Sequence, residues 1–281
     1  MKIKFLGTGA YEGVPALFCK CDVCVRSQKA GGRNLRTRSQ ALIDDDLLID
    51  FPPDTVAHFL KYGFDTQKIE NCLITHSHSD HFYPEDMEIA RKDYVHGHER
   101  TVNFYADGAA YNIMTERFNR AEMRDKLAGA VTANRVEVGK VIEVGRYSVM
   151  AVRANHAPWT SPVVYAISDG NSKLLYGNDS GYFTEEGWGQ LKSFCARFGK
   201  FDLVSLDCTC GINVGKRDNH QCFETNLQVF DRMESEGMID GSTQRLAHHF
   251  SHNGGSTYGE MAEIAKPYGI TVTYDGYETE C

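Results

Sequence analysis

The sequence predicts a mixed α/β fold, and three observations support this class. Short apolar segments with strand character alternate with longer segments that have the pattern of amphipathic helices. Several of the apolar segments end in histidine or aspartate, most prominently before THSHSDH at residues 75–81. The 281-residue chain is 42% hydrophobic and 24% charged, an ordinary globular composition. We therefore expect a single domain over residues 1–281 with a substantial core.

The first half of the chain is predicted to begin with a strand at 2–6, followed by a glycine-containing loop. Strands with apolar, β-branched character are then expected at 40–43, 46–50, 71–74 and 103–105. Apolar spacing predicts helices at 54–63, 85–94 and 110–128. The second of these has proline and acidic residues at its start, as is typical of a helix N-terminus. The third is polar and amphipathic and is a candidate cover for a site.

The second half of the chain is predicted to contain more strands than helices. A hairpin is expected where the turn Asp169-Gly170-Asn171 separates two apolar segments. Strands are predicted at 134–143, 147–153, 163–168, 173–177, 201–206, 245–247 and 270–274. Helices are predicted at 185–198, 222–236 and 257–266.

Charge and composition exclude some classes of partner. The net charge is −8 and no block of lysine and arginine is present, so we expect neither a broad nucleic-acid surface nor an anionic-membrane surface. We find no signal-peptide pattern at the start and no apolar stretch near the ~20 residues of a membrane span. We therefore expect a cytoplasmic protein whose nine cysteines are thiols or metal ligands. A homodimer is compatible with this composition.

The histidine-rich motif at 75–81 is the strongest chemical signal in the chain. It lies between the apolar end of a strand and a predicted helix start, so its ligands occupy a strand-to-helix turn. His76 and His78 alternate onto one side, whereas Asp80 and His81 are consecutive at the bend and can face a second point. The alternative is a polar surface loop. We expect the turn to supply two adjacent metals.

A second group of metal-ligand residues lies near the N-terminus at 19–24. Cys19, Cys21 and Cys24 form a Cys-x-Cys-x2-Cys pattern, which can supply three corners of a tetrahedral zinc site. The fourth ligand must come from elsewhere in the chain. The alternative is three reduced surface cysteines, which would be prone to oxidation.

Isolated polar residues at other strand ends are further candidates. Asp50 closes a strand and could orient a metal-bound histidine. His156 follows a strand in the same way. Asp179 also lies just past a strand and is a candidate bridging carboxylate. The one locally basic loop, at 31–39, could be solvated or could contact an anion.

These residues resemble the metallo-β-lactamase superfamily over nearly the whole chain. Within that superfamily the sequence is similar to the phosphodiesterases of the carbon–phosphorus lyase pathway, which open a phosphoribosyl cyclic phosphate. The resemblance rests on GTGAYEGVPALFCKCDVC, THSHSDH, Asn219-His220, His249-Phe250-Ser251-His252 and Tyr274-Asp275-Gly276. The Cys-x-Cys-x2-Cys insert is the most specific part, because many members of the superfamily lack it.

The resemblance implies a four-layer αββα sandwich with two divalent metals, manganese, zinc or iron, and one structural zinc. It assigns His76, His78 and His156 to one metal. It assigns Asp80, His81 and His249 to the other, with Asp179 bridging. His252 would complete the zinc site. His248 replaces a frequent threonine, but strand alternation places His248 on the face opposite to His249, which we keep as the ligand.

The implied reaction is hydrolysis of a small, cyclic phosphodiester by a hydroxide held between the two metals, with Asp80 and His220 as catalytic residues. Arg33, Arg36 and Arg38 could add a contact to a terminal phosphate. Alternatives are a nuclease of the tRNA 3′-processing type and a thioester or lactone hydrolase. A diiron redox protein is a further alternative that His78 disfavours, and the full ligand set disfavours a non-catalytic metal-binding module.

Overall fold

The computed structural model describes residues 1–97, 100–214 and 218–281, and within them the chain forms two seven-stranded sheets. The strands are β1 (Lys2–Gly7), β2 (Gln40–Ile43), β3 (Leu47–Ile49), β4 (Asn71–Leu73), β5 (Val102–Ala106), β6 (Val131–Arg135), β7 (Val141–Val144), β8 (Tyr147–Arg153), β9 (Val163–Ser168), β10 (Lys173–Gly177), β11 (Leu203–Asp207), β12 (Gln244–His248), β13 (Ile270–Val272) and β14 (Tyr277–Glu280). The first sheet has the order β14-β1-β2-β3-β4-β5-β6 and the second has the order β13-β12-β11-β10-β9-β8-β7.

Helices follow many of the strands along the chain. The α-helices are α1 (Asp22–Ala30), α2 (Thr55–Tyr62), α3 (Gly108–Phe118), α4 (Ala121–Leu127), α5 (Glu185–Phe198), α6 (Phe223–Ser235) and α7 (Tyr258–Ala265). Short 3-10 turns lie at Gly32–Asn34, Thr66–Lys68, Asp86–Ala90, Pro158–Thr160, His252–Gly254 and Lys266–Tyr268. Within the described ranges, every helix is too short or too polar to cross a membrane.

The two sheets pack face to face because their strands alternate inward and outward side chains. In β10, Leu174 and Tyr176 point between the sheets, whereas Leu175 points outward. The outer face of the second sheet is covered by apolar side chains of α5, α6 and α7, and the outer face of the first sheet by those of α3 and α4. The result is four layers in the order αββα, which confirms the predicted fold class.

Parallel pairing brings several strand ends to one edge of the sandwich. Strands β10, β11 and β12 run parallel to one another in the second sheet, and β3, β4 and β5 do so in the first. The carboxyl ends of parallel strands point in the same direction, and ligand sites commonly form there. The polar residues after these strands are therefore neighbours in space.

Two predicted helices and one predicted strand are wrong in detail. The region predicted as a helix at 85–94 forms only the 3-10 turn Asp86–Ala90, and Arg117 holds it through ion pairs with Glu85 and Glu88. The helix predicted at 110–128 is two helices, because the Asn119 side chain donates to the Thr115 carbonyl and ends α3. These helices cover the first sheet and do not line the site.

The strand predicted at 134–143 is also two elements. Its first part belongs to β6 in one sheet and its last part to β7 in the other, with a turn at Gly139 where φ is +76°. An apolar pattern cannot show that a chain changes sheets. Helix α1 and strand β14 were not predicted, and α1 begins directly after Cys21, within the zinc-loop sequence.

Candidate metal centre

The candidate site is built from polar residues that follow strands of both sheets. The 75–81 motif follows β4, and His156 follows β8. Asp179 lies two residues past β10, Asp207 ends β11, and His249 directly follows β12. The fold thus gathers residues that are far apart in sequence at one edge of the sandwich.

Three imidazoles and one carboxylate converge on a first point. The atoms His76 Nε2 and His156 Nε2 lie 2.9 and 3.1 Å from His78 Nδ1. Asp179 Oδ2 lies 3.1 Å from His76 Nε2 and 3.4 Å from His156 Nε2. A tetrahedral ion with metal–nitrogen bonds of about 2.0–2.1 Å would have ligand–ligand separations of about 3.3–3.4 Å. These four atoms therefore fit a single divalent metal.

A second group shares Asp179 with the first. His81 Nε2 lies 3.2 Å from His249 Nε2, 3.3 Å from Asp80 Oδ2 and 3.2 Å from Asp179 Oδ2. Each of the two groups has all of its ligand atoms within 4.8 Å of one another. Because Asp179 Oδ2 belongs to both, the arrangement fits two neighbouring metals with one bridging carboxylate.

In three of the ligand rings, the nitrogen that faces away from the metal position is held by another residue. Asp50 Oδ2 accepts from His81 Nδ1 at 2.7 Å, so the contact predicted for Asp50 is present. Thr209 Oγ1 lies 2.7 Å from His249 Nδ1. The Asn219 carbonyl lies 3.0 Å from His156 Nδ1. Such contacts fix the ring tautomer and leave the lone pair of the other nitrogen directed at a metal.

The charges and pKa values of these ligand residues also favour a bound cation. Burial lowers the pKa of His156 to about 4, which leaves the ring neutral and able to bind a metal. At His81 burial opposes protonation, but the carboxylates of Asp80 and Asp50 outweigh it and raise the pKa well above its usual value. Buried carboxylates are costly without a positive partner. A divalent metal in this position would supply that charge.

Three of the eight non-glycine residues with positive φ in the described chain belong to this site. Asp50, Asp179 and His249 have φ values of 67°, 54° and 57°, in the left-handed region that non-glycine residues rarely adopt. Each such residue costs on the order of 1–3 kcal/mol unless its surroundings enforce the conformation. Strain of this kind clusters at functional sites and therefore supports the assignment.

His220 lies beside the two groups on a different segment. Its Nδ1 is 3.1 Å from Asp207 Oδ2 and 3.0 Å from Asp179 Oδ1. Asp179 Oδ1 has no hydrogen-bond partner in the described part of the chain. Its contact with His220 is therefore an ion pair and not a hydrogen bond. Burial opposes protonation of His220, but Asp207 and Asp179 together raise its pKa to about 11.

Asp207 is a site residue that the sequence reasoning missed. It is fully buried, and its Oδ1 accepts from the backbone N–H groups of Thr209 and Gln221. Its Oδ2 faces His220 and lies 3.5 Å from His249 Nδ1. Asp207 also belongs to a further group of possible ligands with His220 and His249. Because His249 directs its other nitrogen at His81, we interpret Asp207 as a residue that orients both histidines. Its position at the end of β11 was the available signal.

The two adjacent histidines at the end of β12, His248 in the strand and His249 just after it, point in opposite directions, as alternation predicts. His248 is fully buried, and its Nε2 lies 2.8 Å from Ser39 Oγ. Its Nδ1 lies 3.2 Å from Thr273 Oγ1. His248 therefore packs between the sheets, whereas His249 reaches the metal centre.

The thiolate group forms around the start of α1. His252 Nδ1 lies 3.4 Å from Cys21 Sγ and 3.7 Å from Cys19 Sγ, and Cys24 Sγ belongs to the same compact group. The Cys24 backbone N–H donates to Cys21 Sγ and, with His252, lowers the pKa of this thiol to about 6. Three thiols and one imidazole at these separations fit a tetrahedral zinc ion with no open position.

An open cavity of about 860 Å³ lies over the first two groups. Asp80, Asp179, His220 and His249 line it, as does Glu12 from the loop after β1. The predicted phosphate contact of the basic loop is wrong for Arg36, because Arg36 is buried and donates to Thr8 Oγ1 and the Thr273 carbonyl.

The neighbouring arginines do not reach the cavity either. Arg33 stacks on Tyr274 and Arg38 pairs with Asp54. Neither is among the cavity-lining residues of the described chain. Cys208 is buried, whereas Cys210 is only partly buried and lines the cavity.

Comparison with solved structures agrees with this fold. The chain is structurally similar to a diphosphatase of the PhnP family (TM-score 0.74, 20% identity, covering 100% of this chain and 97% of that chain). It is also similar to Zn²⁺-bound PqqB from Methylobacterium extorquens (TM-score 0.73, 19% identity, 100% of both chains). Human tRNase Z, short form, gives a TM-score of 0.64 at 14% identity, over 100% of this chain and 99% of that chain. These likenesses establish the fold.

Sequence comparisons give one short local match and one family match. An octanoyltransferase of Porphyromonas gingivalis is 39% identical over 85 residues, which are 29% of this chain and only 16% of that protein. The Beta-lactamase superfamily domain matches residues 46–270, most of the chain and nearly all of the metal-binding segments. The chain therefore belongs to the β-lactamase superfamily, and its fold is that of the metallo-β-lactamase hydrolases.

Proposed function

We propose that this protein is a metal-dependent phosphodiesterase that acts on a small phosphodiester, most favourably a cyclic one. The observation that carries the proposal is the pair of ligand groups that share Asp179 and open onto one cavity beside His220. The proposed ligands are the histidines and aspartates assigned above, with a closed thiolate zinc site at Cys19, Cys21, Cys24 and His252. A cytoplasmic location remains part of the proposal.

The chain's own residues have distinct tasks in this proposal. Two bound divalent metals, which could be manganese, zinc or iron, would act as Lewis acids on phosphoryl oxygens and lower the pKa of a coordinated water. Asp80 would help to hold one metal and accept a hydrogen bond from the attacking water. The carboxylates of Asp207 and Asp179 raise the pKa of His220 and so favour its protonated form. Its Nε2–H can therefore donate to a phosphate oxygen or to the departing alkoxide.

Charge favours a small substrate over a long nucleic acid. No lysine or arginine is among the cavity-lining residues of ranges 1–97, 100–214 and 218–281, and the chain carries a net charge of −8. Tight binding of long nucleic acids depends on many lysine or arginine contacts to phosphates. A single phosphodiester carries one negative charge, which two divalent metals and His220 can neutralise.

Two other reactions remain as alternatives of the same metal centre. A nuclease of the tRNA 3′-processing type would use the same ligands, and human tRNase Z shares this fold. That reaction needs a basic surface for RNA, which the net charge disfavours. A thioester or lactone hydrolase would use the same water but would need no proton donor with so high a pKa.

The test compares three substrates with the metal-replete enzyme. We expect hydrolysis of a generic aryl phosphodiester and faster hydrolysis of a ribose cyclic phosphate, with little dependence on salt. A precursor tRNA with a 3′ extension should be cleaved slowly or not at all. Efficient, salt-sensitive cleavage of that tRNA with the small esters untouched would favour the nuclease. Turnover of thioesters or lactones alone would favour the third reaction.

A further inference from the structure

We propose that Glu12 is a positioning residue that connects the thiolate zinc site to the dinuclear metal centre. This inference rests on the proposed thiolate zinc site, and it extends the proposed function by adding a residue outside the ligand sets. Glu12 lies on the loop after β1, lines the cavity over the metal centre, and contacts the segment that carries His249 and His252.

The backbone holds Glu12 next to that segment. Gly9 forms a parallel bridge with Phe250, and the Ala10 N–H donates to the Phe250 carbonyl at 3.0 Å. The chain then turns back through Gly13, whose φ of 68° suits glycine. A Cβ on Gly9 would lie only 3.0 Å from the Thr37 carbonyl oxygen and 3.2 Å from the Arg36 Cβ, a tight fit on the other side of this segment. Glu12 is therefore directed at residues 251 and 252.

One carboxylate oxygen of Glu12 makes both contacts. Ser251 Oγ donates to Glu12 Oε1, and His252 Nε2 lies 3.5 Å from the same oxygen. Ser251 Oγ also accepts from the Asn253 backbone N–H and so caps the 3-10 turn that begins at His252. Within the described ranges, Glu12 Oε2 has no hydrogen bond and no ion pair. The side chain is thus anchored by one atom at the boundary between the two sites.

The position of Glu12 determines what it does to His252. His252 directs Nδ1 at Cys21 and Cys19, so Nε2 must carry the proton when Nδ1 binds zinc. An acceptor oxygen near that N–H favours this tautomer and fixes the orientation of the ring. His249 and His252 are three residues apart, and Glu12 contacts the segment between them. A well-held His252 would therefore also hold the loop that carries His249.

The variants separate hydrogen bonding from size and charge. Glu12→Ala removes both contacts, whereas Glu12→Gln keeps an oxygen that can accept from Ser251 and face His252. Outer contacts of this type change metal affinity by about 10–100-fold. We expect Glu12→Ala to release the thiolate-bound metal at least about 10-fold faster, and Glu12→Gln to stay within about 3-fold of wild type. Asp22→Asn is the control, because Asp22 is an exposed carboxylate beside the same site that pairs with Arg26.

The main readout does not depend on turnover. Cobalt replaces zinc at the thiolate site, and its sulfur-to-cobalt charge-transfer band reports that site alone, because the dinuclear centre has no sulfur ligand. Loss of the band after addition of a chelator gives the release rate, and a thermal melt checks folding. We also expect Glu12→Ala to lower kcat on an aryl phosphodiester with little change in KM, and Glu12→Gln to restore it.

Each outcome decides the proposal. Fast metal release in Glu12→Ala, with near-normal release in Glu12→Gln and Asp22→Asn, supports it even if no phosphodiester is hydrolysed. Normal release in folded Glu12→Ala overturns it, and a loss of kcat there would instead assign Glu12 a direct contact with substrate. Fast release in Glu12→Gln that equals the rate in Glu12→Ala also overturns it. If no variant forms the sulfur-to-cobalt band, the thiolate site itself is wrong.

Discussion

Replacing Asp50 with asparagine removes a carboxylate charge behind the metal centre while leaving the side-chain volume nearly unchanged. Asp50 Oδ1 accepts from the Thr75 backbone N–H at 2.8 Å and from Thr75 Oγ1 at 2.9 Å, and Oδ2 faces His81 Nδ1 at 2.7 Å. Asparagine can supply one oxygen to Thr75. Its amide NH₂ would then oppose the N–H of His81, so the ring would be driven to the tautomer that carries its proton on Nε2, where the metal should bind.

The size of this effect follows from the role of such contacts. Loss of a partner behind a metal-bound histidine weakens metal affinity by about 10–100-fold, which corresponds to about 1.4–2.7 kcal/mol. We expect Asp50→Asn to lose affinity for one of the two active-site metals and to regain turnover when excess metal is added. Mn²⁺ titration by calorimetry, together with hydrolysis rates at increasing Mn²⁺, measures both effects.

The control for Asp50→Asn is Asp46→Asn, which changes a carboxylate of the same region that accepts from the Tyr147 hydroxyl at 2.6 Å and has no contact with a ligand histidine. Both variants should unfold cooperatively, so that an affinity change cannot be attributed to a damaged fold. Equal Mn²⁺ affinity in Asp50→Asn and wild type would refute the reasoning, as would a loss of turnover that excess metal does not relieve.

The remaining predictions concern the inventory and roles of the ligands. Elemental analysis should find three metals per chain, one of them zinc. One metal or fewer in protein with intact thiols would contradict the assignment of a dinuclear centre and a separate zinc site. Cys21→Ser should lower the melting temperature and kcat together, because it opens a closed zinc site; a normal melt with normal activity would exclude structural zinc. Asp179→Ala should abolish turnover with a much smaller change in melting temperature than Cys21→Ser. His220→Gln should lower kcat by about 10²–10⁴-fold with the metal content unchanged, and wild-type kcat would remove it from the mechanism.

The order of strands and helices was predictable because the apolar patterns of most of these elements are strong, whereas the four-layer arrangement was implied by the resemblance to a known superfamily. The errors arise where local pattern and tertiary structure separate. The segment at 134–143 carries valines at strand-like spacing, yet it leaves one sheet and enters the other at Gly139. The turn at Asp86–Ala90 has helical composition, but ion pairs to Arg117 hold it in 3-10 form. No spacing rule in a single sequence reports such contacts.

The candidate metal ligands were easier to predict from the sequence than the residues that contact and orient them. His76 and His78 can be recognised as candidate ligands from their residue type and spacing, because few kinds of side chain bind metals. Asp207 and Glu12 carry no such signal. One is an aspartate at a strand end, and the other is a single glutamate in a glycine-rich loop. Their roles depend on distances to His220, His249 and His252 that exist only in the folded chain.

The strained residues of the centre connect metal binding to stability. Asp179 and His249 hold left-handed backbone conformations, and Asp179 is buried among imidazoles with one oxygen lacking a hydrogen bond within the described ranges. Strain and a buried oxygen without a hydrogen bond both oppose folding. A ligand that binds only the folded state offsets such terms by a free energy that grows with the logarithm of its concentration over its dissociation constant. Evolution can retain this geometry because the metals that it binds would contribute to the stability of the strands that position them.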